Sequence, residues 1–309
     1  MRRAAILVWA IATGCRPDAS TAAPGPAATA QPAEIAAPLR FAWPAGIDAR
    51  VTERVVKKGR HATMRYRIAV EEDDDALLVY YRDFAFAEIE GFDLGDPAVR
   101  AEIRGLEEQL GGAIPPYRVA HDGTWIGATG IETLGQRFES VFSAKDREMF
   151  GSLLANPKVR ALVDAKMREV WQAWAQGWIG LELQPGARYE GTAAVDVAGV
   201  RVEQPFVVER LVADDGVRLR ATQTMAGEQA IAAVGAVIDE FIAARGQATK
   251  PLPLAATDVR RVYVREATLD PKTLLPRRAS THVTIAVTHE GQTTEQIESH
   301  EWVFDWRAR

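Results

Sequence analysis

One thiol and five imidazoles are the groups in this chain best suited to covalent or metal chemistry. The thiol, Cys15, is the only cysteine, so it has no disulfide partner and no second thiolate for a zinc site. His61, His121, His282, His289 and His300 are scattered, with no HExxH or HxH spacing. His282 and His300 fall on segments that read as pairing strands, so a contact between them is the one two-histidine arrangement on offer. A metal would still need a third ligand and an outer shell, and no signal supplies either. The run Glu71-Glu72-Asp73-Asp74-Asp75 is rich in oxygen ligands for calcium, yet adjacent side chains in a hairpin diverge and the EF-hand spacing is absent. It reads as a solvated turn. Ser140-Val141-Phe142-Ser143 fits neither GxSxG nor SxxK, and Gly127-Ala128-Thr129-Gly130 fits neither glycine-rich phosphate pattern. No catalytic residue, metal or cofactor is assigned, and a non-enzymatic role is expected.

The setting of Cys15 is more informative. Arg2-Arg3 precede the apolar run Ala4 to Ile11, which ends in Ala12-Thr13-Gly14-Cys15. A charged start, a short apolar stretch and a small-residue end are the parts of an export signal. The run is far shorter than the roughly 20 residues of a membrane-spanning helix. Ala12-Thr13-Gly14-Cys15 resembles the lipobox of bacterial lipoproteins, with Ala12 where that family more often has Leu. The resemblance implies cleavage between Gly14 and Cys15, and a lipid on the Cys15 thiol with a fatty acyl group such as palmitate on the new amino terminus. An unpaired cysteine in an exported chain is thereby accounted for. Arg16, rather than Asp, follows the cysteine, which by the same resemblance favours the outer membrane, with the domain facing the periplasm.

Residues 15–38 are dominated by Ala, Pro, Ser and Thr, too poor in large apolar groups to offset the entropy of ordering, and read as a flexible tether. Residues 1–14 are then signal, and 39–309 one domain. The whole chain carries a formal charge of −5, which becomes −7 without Arg2 and Arg3. No Lys/Arg cluster stands out that would neutralise phosphates, which argues against nucleic acid as a partner.

The elements of that domain follow from its patterning. Val51, Glu53, Val55 and Lys57 alternate with polar residues up to a Gly59 turn, and Met64, Tyr66, Ile68 and Val70 alternate after it, as in half-buried strands. A helix is expected over 96–111, capped by Asp96 and started by Pro97. Asp122-Gly123 reads as a tight hairpin turn with positive φ at both residues. The spacing of Val159, Val163, Met167, Val170, Trp171, Trp174 and Trp178 predicts one helix over 157–178. Three strands follow within 189–225, a helix over 227–246, and strands from 260 to 306 that pair around Glu290-Gly291. Strands, helix and late hairpin recur in both halves, about 39–180 and 181–309, although no residue-level repeat is visible.

Antiparallel strands interrupted by helices read as α+β. The expected architecture is a curved antiparallel sheet with helices packed on its concave face. This layout, with the turn Leu-Asp-Pro-Lys-Thr-Leu-Leu-Pro at 269–276, resembles the LolA/LolB-like half-barrel envelope lipoproteins. Leu274 stands where such proteins often carry Gly. The indole stripe Trp171, Trp174 and Trp178, with Phe138 and Phe142, is then the candidate lining for an apolar ligand, a lipid or acyl chain, between sheet and helices. Core packing is the competing reading of that stripe. It would make the protein an envelope scaffold that binds a protein partner.

Overall fold

The computed structural model describes residues 37–134, 154–197, 200–213, 216–233, 235, 257–289 and 291–308. Gly14, Cys15, most of the tether, Phe138, Phe142 and the 236–246 part of the expected third helix lie outside them. Eleven strands form one antiparallel sheet: β1 (Ile47–Lys57), β2 (Arg60–Asp73), β3 (Ala76–Ile89), β4 (Tyr117–Ala120), β5 (Trp125–Ala128), β6 (Arg188–Val197), β7 (Val200–Leu211), β8 (Val217–Ala226), β9 (Thr257–Leu269), β10 (Pro276–His289) and β11 (Gln292–Ala308). Their order is β5-β4-β3-β2-β1-β11-β10-β9-β8-β7-β6. Two meanders therefore meet where the first strand pairs with the last, in unbroken register from Ile47↔Ala308 to Lys57↔Glu298. The outer strands β5 and β6 do not meet, so the sheet stays open.

Period-two patterning decides which face is inside. Ala49, Val51 and Val55 of β1 are buried, while Arg50, Thr52 and Arg54 between them are exposed. On β11, Trp302 and Phe304 are buried against exposed Glu301, Val303 and Asp305. The buried face is covered by helix and loop, and the other faces water, the usual solution for an antiparallel sheet.

The hairpin tips combine expected and unexpected chemistry. Lys58 and Gly59 both take positive φ, the two-residue turn that matches strand twist. In the acidic tip, Arg118 binds Asp73 at 2.7 Å and Asp75 at 3.3 Å, so part of that charge is neutralised from β4. At Asp122-Gly123 only Gly123 has positive φ, which corrects the expectation for Asp122. The Asp122 carboxylate accepts from Thr124 N at 2.9 Å, and Gly123 N donates to Ala120 O at 2.8 Å. The result is a longer loop with glycine in the left-handed position and a bulge beside it.

The helices α1 (Pro97–Ala113) and α2 (Pro157–Trp174) begin at the expected prolines, and α3 (227–233) begins at the expected Gly227. Asp96 accepts from Ala98 N at 2.7 Å, and Pro97 occupies the first turn. α2 ends at Trp174, one turn before the expected Trp178. Ala175 leaves helical geometry, and Gln176–Trp178 form a 3-10 turn. The 3-10 turn is tight, and periodicity does not sense it: a β-carbon at Gly177 would meet Gln172 O and an Arg265 nitrogen, each at 2.6 Å. The Trp178 indole N–H donates to the freed Ala173 carbonyl at 2.8 Å.

The segment after the tether straps this end of the domain. Leu39 exchanges backbone hydrogen bonds with Leu181 and Gly180, and Ala42 N reaches Thr273 O at 3.1 Å. Thr273 belongs to the 270–275 turn, where Asp270 Oδ1 accepts from Lys272 N, Thr273 N and Thr273 Oγ1, each at 3.0 Å. These donors keep the Asp270 carboxyl ionised below its usual range although burial opposes it. Leu274, in the position noted for Gly, adopts φ +60 with its side chain fully buried.

Leu274→Gly tests that trade. It relieves about 1 kcal/mol of left-handed strain but discards a leucine worth about 2–5 kcal/mol in a core. A lower melting temperature is expected, and a rise contradicts the account. Gly123→Ala should also destabilise, by about 1–3 kcal/mol, because its β-carbon would lie 2.5 Å from Ile179 Cδ1 and 2.7 Å from the Phe41 ring.

Candidate functional site

The three indoles of the stripe are all fully buried, but they do not share one environment. Trp171 donates its indole N–H to Gly123 O at 2.9 Å and meets Trp43 edge-on, ring centres 4.9 Å apart. Trp174 packs nearly perpendicular to Trp302 and Phe304, ring centres 5.8 and 5.3 Å away. Both belong to the larger core cluster, with Phe41, Tyr66, Tyr117 and Trp125. Trp178, past the helix break, joins a second cluster with Leu39, Val208, Leu219, Leu269 and Leu274. The single stripe read from the sequence is thus split between two cores. Around the second one, Ile179, Leu181, Leu183 and Phe206 remain only partly buried.

The buried face of the sheet is not apolar throughout. Along β1 and β11 it changes from Ala49/Trp306 and Val51/Phe304 to Val55/His300 and Lys57/Glu298. At the polar end a chain of ionisable groups runs through the interior. Tyr66 OH donates to Glu53 at 3.0 Å, and the other Glu53 oxygen accepts from His300 Nδ1 at 2.8 Å. His300 Nε2 donates to Glu298 at 3.4 Å, whose second oxygen binds Lys57 Nζ at 3.1 Å. Lys57 and Glu298 are 7% and 8% exposed, so this ion pair is shielded from solvent. From α2, Lys166 binds Glu169 at 3.1 Å, and Glu169 lies beside the Tyr263 phenol on β9.

Environment tunes these groups. Burial favours a neutral His300, but hydrogen bonds to Glu298 and Glu53 outweigh it and raise the imidazole above its ordinary value. With a carboxylate at each ring nitrogen, the favoured form is the doubly protonated cation. Burial likewise opposes ionised Glu298, yet the His300 hydrogen bond and the Lys57 charge hold it down to about 2. Burial, then the Glu53 charge, pushes Tyr66 well above its usual range.

Sequence reasoning missed this network. The available signal was phase, because Glu53 and Lys57 fall in step with Val51 and Val55 and so had to face the core. The two-histidine contact is not formed. Thr281 pairs with His300 and His282 with Ser299, so the two imidazoles project from opposite faces. Among the described residues no group of His, Cys, Asp and Glu is arranged to hold a metal, and no helix is long and apolar enough to cross a membrane. The arrangement offers proton and ion-pair chemistry.

No protein-family model matches the chain, and no curated protein sequence matches it.

The His300 network predicts a pH dependence of stability. A histidine raised on folding contributes fully below its ordinary value of 6.5, and that contribution fades as pH climbs through the raised value. The depressed Glu298 contributes fully above 4.5 and is lost as pH falls toward about 2. The melting temperature should therefore decline above about pH 6.5, and His300→Gln should flatten that decline. A wild-type curve level from slightly acidic to alkaline pH contradicts this.

Proposed function

We propose that the chain is an outer-membrane lipoprotein of the bacterial envelope. It is tethered through lipidated Cys15 and residues 15–38, faces the periplasm, and binds an apolar ligand without covalent chemistry. The ligand, a lipid or acyl chain, lies between a curved, half-barrel sheet and helices on its concave side.

One observation carries the half-barrel part of this reading. Asp164 of α2 accepts from Ala128 N of β5 at 2.8 Å, while Glu169 of the same helix lies beside Tyr263 of β9. These strands are seven steps apart in the sheet, about 34 Å if it were flat. Asp164 and Glu169 are separated by only about 7.5 Å of helix rise. Even outstretched, the side chains fall short of the flat span, so curvature of the sheet around α2 accounts for both contacts. The partly buried Leu181, Leu183 and Phe206 beside the second core supply apolar surface for a chain on that side.

A second reading, an envelope scaffold with a filled core that binds a protein partner, is favoured by the indoles themselves. Trp171, Trp174 and Trp178 have no exposed surface and are ringed by other side chains of the protein. In the first reading they serve as the wall behind the ligand.

Two measurements test the proposal. Cys15→Ser should move the protein out of the membrane fraction; if it stays bound as the wild type does, the anchor assignment fails. The released chain should brighten a neutral apolar dye such as N-phenylnaphthylamine, and dodecanol should displace it. A dye that remains dark in the presence of the folded chain favours the scaffold.

A further inference from the structure

The interior charges do not balance residue by residue. Among the described residues the carboxylates of this network each have a cation: Glu53 has His300, Glu298 has His300 and Lys57, and Glu169 has Lys166. Two cations are left over on β9. Arg261 is only 9% exposed, with its guanidinium 5.3 Å from the Tyr263 ring centre. Arg265 lies 5.4 Å from the ring centre of fully buried Trp178, and its Nε is buried with no hydrogen-bond partner. Among the described residues neither arginine makes an ion pair or a side-chain hydrogen bond. Arg261 is a buried residue and Arg265 a partly buried one, so each cation sits largely in apolar surroundings with its outer nitrogens able to meet a partner from outside, and a guanidinium so placed gains from an anion that pairs with it. A ring face supplies only part of that gain.

Arg261, Tyr263 and Arg265 share the inner face, since successive odd positions on a strand project the same way. Register places Gln223 of β8 opposite Tyr263 and Phe206 of β7 opposite Gln223. A polar band thus crosses β8 and β9 between two apolar clusters, one around Trp178, Leu219 and Leu269, the other around Val202, Met225 and Val259. A guanidinium fork matches the paired oxygens of a carboxylate or phosphate.

We infer that Arg261 and Arg265 are the recognition site for a single anionic group at the head of the ligand, which is therefore an acidic amphiphile, a carboxylate or phosphate on an apolar chain. The inference rests on the apolar-ligand reading and adds the headgroup to it. The chain of such a ligand lies along Phe206, Leu183 and Leu181, beside the second core.

The test is calorimetry on the full-length chain carrying Cys15→Ser, with four probes: dodecyl phosphate, dodecanoate, dodecanol and inorganic phosphate. The expected result is tight one-site binding of the two acidic amphiphiles, weaker binding of dodecanol, and little or none of inorganic phosphate. The double change Arg261→Gln/Arg265→Gln should weaken dodecyl phosphate at least tenfold and leave dodecanol unchanged. Dodecanol binding as tightly as dodecyl phosphate, or a double variant that binds dodecyl phosphate as the parent does, overturns the headgroup assignment while the apolar-ligand reading stands. Inorganic phosphate binding as tightly as dodecyl phosphate overturns the amphiphile and leaves a site for free anions. Failure of all three chain-bearing probes overturns both readings. Melting curves guard against a folding artefact. Arg265→Met should keep or raise the melting temperature of the unliganded chain and remove the shift that dodecyl phosphate produces. A lower unliganded melting temperature with that shift intact assigns Arg265 to the fold and overturns the proposal.

Discussion

The seating of three indoles from one chain segment against strands of both meanders is the interaction on which the rest of the structure depends. An open antiparallel sheet has one apolar face to cover, and strands far apart in it share no hydrogen bonds. Trp171 and Trp174 fix α2 to the β1–β4 and β11 side, and Trp178 fixes the following turn to the β7–β9 side. Truncating a buried aromatic of this kind costs about 3–5 kcal/mol, against a typical total of about 5–15 kcal/mol for a folded protein. The strap at Leu39, Phe41 and Trp43 reinforces the same junction, with Leu39 in one core and Phe41 and Trp43 in the other.

Once that junction is set, the polarity of the interior becomes interpretable. The near end of the inner face, by Trp306, Phe304 and the 270–275 turn, is aromatic and aliphatic. The far end, by Lys57, Glu298 and Arg261, is ionic. The carboxylates of the network there are each matched by a cation, which satisfies the requirement that interior charge be paired. The departure at Arg261 and Arg265 is confined to one strand and lies beside incompletely buried apolar surface. Among the described residues neither guanidinium has an ion-pair partner, and an anionic amphiphile would use the charge and the apolar surface together.

Local features were legible in the sequence because their causes are local. Asp96-Pro97 at the start of α1, Pro157 at the start of α2 and the hairpin around Gly291 rest on capping, proline geometry and turn chemistry within a few residues. The strands were legible from alternation. What escaped was set over long range. Pairing of β1 with β11 brings Glu53 to His300 across 247 residues, and nothing near either residue announces the other. The helix ends after Trp174, where Ala175 leaves helical geometry, whereas periodicity alone extends the stripe to Trp178. Leu274 takes the left-handed position noted for glycine because its buried side chain more than offsets the strain. The Asp-Gly dipeptide alone predicts positive φ at Asp122, whereas the Asp122 carboxylate accepts from Thr124 N and only Gly123 takes positive φ.

The most direct test of the central claim is the lipid content of the native protein. The full chain would be purified from envelopes, extracted with organic solvent, and its non-covalent lipids identified and counted by mass spectrometry against protein. The account predicts about one molecule per chain, enriched in acidic headgroups relative to the source membrane. A folded chain that yields only its covalent anchor, or lipids in the same proportions as the bulk membrane, contradicts it.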